Sequence, residues 1–169
     1  GVDGRSIFIH PPAWQDRQTQ DFSYDPASFF TQFPLLKGRR IMLSVARLVA
    51  QKRVDRVLQA GSRLLKEFPD MVHVVVGDGP ERKNLERLAR ELGWQDRVLF
   101  VGALMPRSSA LFAMYSAAEV FVLPSVREGW GMCLLRPEHL DCPVLGFQMG
   151  VFQSVLKRGR ADYFPVPTT

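Results

Sequence analysis

From Arg40 onward the chain alternates between short unbroken apolar runs and longer stretches in which apolar residues recur every three or four positions. The runs are IMLSVA at 41–46, VHVVVG at 72–77, VLFVG at 98–102, VFVLP at 120–124 and PVLGF at 143–147. Runs this short and this rich in β-formers predict strands buried on both faces. A further short strand is expected near 163–166. After the first run, Val54, Val57, Leu58, Gly61, Leu64 and Leu65 share one face of a helix. After the second, Leu85, Leu88, Ala89 and Leu92 do the same, with Pro80 suited to the first turn. A third helix separates the third and fourth runs, and a fourth is expected after Gly131. The order β-α-β-α predicts an α/β fold: a doubly wound parallel sheet of about six strands in one domain spanning 40–169. A ligand belongs at the carboxyl ends of such strands, where their order reverses. Residues 1–39, rich in Pro, Asp, Gln and Phe without a sustained period, read as an irregular lead-in segment.

Composition narrows the class of protein. With 169 residues, 46% of them hydrophobic and 23% charged, the chain has the makeup of one ordinary globular domain. Neither a signal peptide nor a membrane-spanning run is legible, so a soluble, cytoplasmic setting is expected. The formal charge of +5 suits an anionic ligand. No arginine-rich run, zinc-finger spacing or RNP-like stretch accompanies it, and nucleic acid is not expected as a partner. Cys133 and Cys142 fit no metal-ligand spacing and read as core residues. His10, His73 and His139 are far apart, and each reads as structural. Metal-binding Asp-x-Asp or His-Glu-x-x-His pairs, a nucleophile elbow and a Walker loop are all missing from the sequence.

Three loops after strands carry candidate chemistry. SVARLVAQK sets Arg47 just past the first strand and Lys52 at the start of the following helix. An arginine fork and a mobile lysine charge converging there would suit a diphosphate; two solvated surface charges are the alternative. Gly77-Asp78-Gly79-Pro80 is a weak fragment of a dinucleotide fingerprint, because Arg82 stands where a third glycine belongs. It reads more simply as a turn that needs glycine, with Asp78 capping the helix. PSVREGWGMCLL puts Glu128 in a loop and Gly129 and Gly131 around Trp130, directly before a helix. Glycines permit close backbone approach, a helix start offers N–H groups to an anion, and Glu128 can accept bonds from sugar hydroxyls or cap the helix.

The strings GVDGRSIF, VARLVAQK, VVVGDGPERKNLERLARELGWQDRVLFVG, AEVFVLPSVREGWG and PVLGF, in that order, resemble the family 4 glycosyltransferases (glycosyl transferases group 1) of the GT-B fold. The resemblance implies two facing Rossmann-like domains, of which this chain corresponds to the second. The acceptor-binding domain and the C-terminal tail lie outside the sequence. By that likeness, Arg47 and Lys52 hold the donor diphosphate, Glu128 contacts the transferred sugar, and Gly129, Trp130, Gly131 and Met132 line sugar and phosphate. Gly102, Ala103 and Leu104 match the loop that reads the base through main-chain groups. The implied reaction is transfer from a nucleotide-sugar with retention at the anomeric carbon. It needs no cofactor and no metal, and serves glycan or polysaccharide synthesis. The full-length protein is then expected to be cytoplasmic or peripheral to the inner face of a membrane, with a membrane-associated acceptor left open.

One position departs from the family. Its hallmark is two glutamates with seven residues between them, the second binding the ribose; counted from Glu128 that second place is Arg136. Glu138 lies about 200° further around a helix and points elsewhere. Pro137 would break a helix that had begun near Met132. Two readings follow: an active transferase with an altered ribose contact, or a diverged domain that binds nucleotide weakly or serves as a scaffold. A nucleotide-sugar epimerase on the same fold fits the VARLVAQK and PSVREGWG segments less well.

Overall fold

The computed structural model describes residues 26–105, 108–127, 142–147 and 161–164. Six parallel strands form one sheet: β1 (Arg40–Val45), β2 (Met71–Val76), β3 (Val98–Gly102), β4 (Val120–Leu123), β5 (Val144–Phe147) and β6 (Ala161–Phe164). Their order is β3-β2-β1-β4-β5-β6. The chain works outward from β1 in one direction, then returns and works outward in the other, so the reversal falls between β1 and β4. The last strand begins two residues earlier than the sequence suggested.

Helices cover both faces. Along each strand alternate residues go to opposite sides: Ile41 and Leu43, Val72 and Val74, and Phe121 join α1 (Pro26–Gln32) and α4 (Ser109–Ala117) in one core cluster. Met42, Val75 and Val122 join α2 (Val54–Leu64) and α3 (Arg82–Glu91) in the other. Both sides of the strands are therefore apolar, as the unbroken runs required. On α2 the expected face is buried at Val54, Val57, Leu58 and Gly61, whereas Leu64, at the last residue of the helix, is 40% exposed. On α3, Leu85 and Ala89 are buried, with Leu88 and Leu92 half-buried beside them. Ser108 caps α4 by accepting from the Leu111 N–H at 3.3 Å.

The lead-in segment is not irregular throughout. Residues Pro26–Gln32 form α1 and Pro34–Leu36 a 3-10 turn, and Phe29 and Leu36 are buried in the first cluster. A helix of seven residues is too short to announce itself by period, and its stability comes from docking two apolar side chains. Residues 1–25 lie outside the described ones.

A polar crossbar runs beneath the reversal point. Ser44 on β1 is buried and donates from Oγ to the Val122 carbonyl of β4 at 2.7 Å. Its Oγ lies 3.0 Å from His73 Nε2 on β2 and must accept there, which puts the imidazole proton on Nε2. His73 is fully buried, edge-on to Trp94, and burial lowers its pKa from 6.5 to about 3. The histidine is structural, as expected. Cys142 is buried too, and burial pushes its thiol up to about 11. His10, His139 and Cys133 lie outside the described residues.

Candidate functional site

The loop after β1 is built around Leu48. Its side chain is buried, its N–H donates to the Asp78 carbonyl at 2.9 Å, and its carbonyl accepts from the Glu81 N–H at 3.0 Å. Ala46 N–H reaches the Val76 carbonyl at 3.0 Å, extending the β1/β2 pairing one step past the strand. With Leu48 turned inward, Arg47 is exposed at the carboxyl end of β1, where the sequence placed it.

The two glycines of the β2 loop exist for this loop. A Cβ on Gly77 would overlap the Ala46 carbonyl, and one on Gly79 would overlap the Leu48 carbonyl. Gly77 also has φ +134°. The turn reading of Gly77-Asp78-Gly79-Pro80 thus holds, for a reason no local pattern displays: another backbone passes against it. Asp78 does not cap α3. Its carboxylate accepts from the adjacent Gly79 N–H at 2.7 Å, and α3 starts at Arg82 without a side-chain cap, leaving Pro80 in the preceding turn.

Lys52 does not open α2. It ends a separate 3-10 turn, Ala50–Lys52, and Arg53 then adopts a left-handed conformation (φ 52°) before the helix begins at Val54. The change of direction makes the difference, since a left-handed residue cannot continue either helix. Arg53 is held by a two-pronged bond to Asp55, both contacts at 3.1 Å, which raises its pKa. Lys52 is half-buried, three residues along from Val49, whose carbonyl accepts its N–H at 2.9 Å.

Across the reversal, the loop after β4 is tied to this turn. Val126 N–H donates to the Gln51 carbonyl at 2.9 Å, after a buried Ser125 and before an exposed Arg127. The segment leading into Glu128 is thereby anchored beside the segment carrying Lys52. Neither this tie nor Leu48 as anchor is legible in the sequence, where Leu48 is one of several apolar residues in ARLVAQK. Glu128, Gly129, Trp130, Gly131, Met132 and Arg136 lie outside the described residues.

On the α2/α3 side of the tie is a groove of about 470 Å³ lined by Val49, Gln51, Arg53, Asp55, Glu81 and Val126, among others. Its arginine is already paired with Asp55, and Glu81 adds a second carboxylate, so it does not suit an anion. Neither Arg47 nor Lys52 lines it. At the neighbouring strand end, Gly102 closes β3 with φ +87° and its carbonyl accepts from the Gly77 N–H at 2.7 Å. Ala103 follows exposed and Leu104 half-buried against the core. The loops after β1, β2 and β3 thus form one bonded shelf along the carboxyl edge. Among the described residues no group of His, Cys, Asp or Glu is arranged to hold a metal, and no helix is long and apolar enough to cross a membrane.

A parallel sheet covered by helices on both faces, with its order reversing between β1 and β4, defines a Rossmann-like doubly wound α/β domain. The profile described as "Glycosyl transferases group 1" matches residues 27–168, and the chain belongs to that family. Among similar proteins is the alpha-monoglucosyldiacylglycerol synthase of Streptococcus pneumoniae, 35% identical over 108 residues, covering 64% of this chain and 24% of that protein. Among solved structures, WaaG, a glycosyltransferase involved in lipopolysaccharide biosynthesis, superposes with a TM-score of 0.71 at 23% identity, covering 86% of this chain and 40% of that one. The pneumococcal O-GlcNAc transferase GtfA, in complex with UDP and GlcNAc, does so with a TM-score of 0.67 at 24% identity, covering 79% and 26%. The likeness to these two structures is one of fold, and the chain spans well under half the length of each of these three proteins.

Proposed function

We propose that this chain is the donor-binding domain of a retaining, metal-independent glycosyltransferase that moves a sugar from a nucleotide-sugar to an acceptor held by a second domain. The observation that carries the reading is the tie between Val126 and Gln51, which sets the approach to Glu128 beside the turn of Lys52 and within one loop of Arg47. The family membership and the UDP held by GtfA support a nucleoside diphosphate as the ligand at this strand end. Breaking the anomeric bond leaves negative charge on the departing diphosphate. Fixed cations stabilise that charge more in the transition state than in the ground state. Arg47 and Lys52 take this role; Glu128 accepts from the sugar hydroxyls, with Gly129, Trp130, Gly131 and Met132 lining sugar and phosphate. Residues 102–104 read the base. The full-length protein works in the cytoplasm in glycan or polysaccharide synthesis, at the inner face of a membrane if its acceptor is membrane-associated.

A second reading, a diverged scaffold, is favoured by one observation: Arg136 stands where the family places its ribose-binding glutamate. Calorimetric titration of the full-length protein with UDP, GDP and ADP separates the two. The expected result is binding of one of them, weakened at least tenfold in Arg47→Ala and Lys52→Ala. Arg136→Glu, which restores a charged acceptor, should tighten it about ten- to a hundredfold. A protein that binds none of the three, and neither transfers nor hydrolyses any of a panel of nucleotide-sugars, would be the scaffold.

A further inference from the structure

The first turn of α3 carries Arg82 and Lys83 and no acidic residue. Cations at a helix N-terminus work against the helix dipole, and the i,i+4 pair with Glu86 is all that Arg82 gives the helix itself. Its side chain, 31% exposed, reaches across to β3 instead. There the β2/β3 pairing slips: Val75 pairs with Phe100 but Val76 pairs with Gly102, leaving Val101 as the extra residue of a bulge. Bulges re-aim the chain that leaves a sheet and are common beside functional sites.

Arg82 clamps this one. Its NH2 group donates to the Phe100 carbonyl at 3.3 Å, and its NH1 lies 3.4 Å from where a Cβ on Gly102 would stand. Two carboxylates hold the guanidinium in place: Glu86 Oε1 accepts from Nε at 2.9 Å, and Asp78 Oδ2 lies 3.7 Å from NH1. Asp78 belongs to the β2 loop, whose Gly77 N–H in turn holds the Gly102 carbonyl. The bulge is thus gripped by Arg82 on one residue and by Gly77 on another, and the chain leaves β3 in a single direction.

We infer that Arg82 is a positioning residue for base recognition, fixing the bulge at Phe100 and Gly102 so that the main-chain groups of residues 102–104 face the nucleobase. The inference rests on the reading that residues 102–104 contact the base. Arg82 itself touches no substrate; it acts through the backbone it holds.

The test uses the full-length protein with Arg82→Ala and Arg82→Lys. Amide hydrogen exchange at Gly77, whose N–H donates to the Gly102 carbonyl, should speed up at least about tenfold in Arg82→Ala without ligand, while amides within β1 keep their protection. With UDP, GDP and ADP, the preference for the favoured nucleotide should shrink about tenfold, while affinity for inorganic pyrophosphate, which has no base, stays unchanged. Arg82→Lys, which keeps the charge and a donor for Phe100, should recover part of both effects. Unchanged exchange at Gly77 overturns the inference, and so does an equal loss of pyrophosphate and nucleotide affinity, which would mark a general structural role. Faster exchange with an unchanged nucleotide preference would instead overturn the base-reading assignment while leaving the clamp standing.

Discussion

The Val126 N–H and the Gln51 carbonyl meet at 2.9 Å across the point where the order of the sheet reverses. Seventy-odd residues apart in sequence, they join the loop after β4 to the loop after β1, the two segments in which the sequence shows its strongest candidate chemistry. The bond uses main-chain groups only, so the juxtaposition tolerates side-chain change at both positions.

Removing the exposed cation at this reversal should strike catalysis harder than binding. Arg47→Ala in the full-length protein is expected to lower kcat by about 10²- to 10³-fold, with a smaller change in KM. Steady-state transfer kinetics with the favoured nucleotide-sugar check this. A rise in KM at constant kcat would mean that Arg47 serves ground-state binding alone.

Gly77→Ala should disable the shelf on which Arg47 stands. The new Cβ would overlap the Ala46 carbonyl, and φ +134° is closed to an ordinary side chain. A loss of about 3 kcal/mol in urea unfolding is expected, together with weaker nucleotide binding. Gly79→Ala, which meets Leu48 instead, should behave alike. An alanine at either place that leaves stability and binding untouched would show that the β1 loop is not packed as described.

Gly61 poses the opposite question, because alanine is a better helix former by about 1 kcal/mol. In α2, however, a Cβ at this position would run into the ring of Trp94, which is completely buried and has nowhere to retreat. Overpacking of this kind costs about 1–3 kcal/mol, so Gly61→Ala should be net destabilising. Pairing it with Trp94→Phe should recover part of the loss, and thermal melts of the three variants measure the coupling.

Stability should fall in mild acid through His73. Its folded pKa, about 3, lies below the ordinary 6.5 because burial penalises the imidazolium. The unfolded chain takes up a proton as pH drops through 6.5 and the native one does not. Stability therefore declines from pH 6.5 downward, by about 2 kcal/mol at pH 5, and this contribution levels off near pH 3. His73→Phe should flatten the decline between pH 6.5 and 5. Glu119, held below its ordinary 4.5 by hydrogen bonds from Arg40, loses its contribution only as pH falls below that value, and equally in both proteins. Urea midpoints against pH distinguish the two; parallel curves for parent and variant would assign the acid sensitivity elsewhere.

How much of this was legible in the sequence depended on whether a feature was local. The strands showed because IMLSVA, VHVVVG and VFVLP are apolar on both faces, and α2 because Val54, Val57, Leu58 and Gly61 keep a helical interval. Arg47 could be placed by counting from the end of a strand. Leu48 could not be recognised as the anchor, since Val49 and Ala50 beside it are apolar too and so short a loop has no period. Gly77 and Gly79 were visible as turn residues, but the backbone they accommodate belongs to a loop some thirty positions away. Lys52 reads as the start of α2 because nothing in VAQKRVDR marks Arg53 as left-handed, a conformation usually left to glycine. Arg82 read as the flaw in a fingerprint motif, and its grip on Phe100 depends on a bulge that only strand pairing creates.

The sheet has a seam. Six residue pairs join β1 to β2, but only two, Met42 with Val120 and Leu43 with Phe121, join β1 to β4. Pulled sideways, the structure should tear along that line into two banks of three strands, held by the Ser44–Val122 stitch within the sheet, the Gln51–Val126 stitch above it, and the bonds of Glu119 to Arg40 and to the Ile41 carbonyl at the other end. The proposed diphosphate lies at the open end of the tear. Held as proposed between Arg47 on one bank and the loop after β4 on the other, it would act as a rivet, so that a filled site makes the whole sheet harder to split.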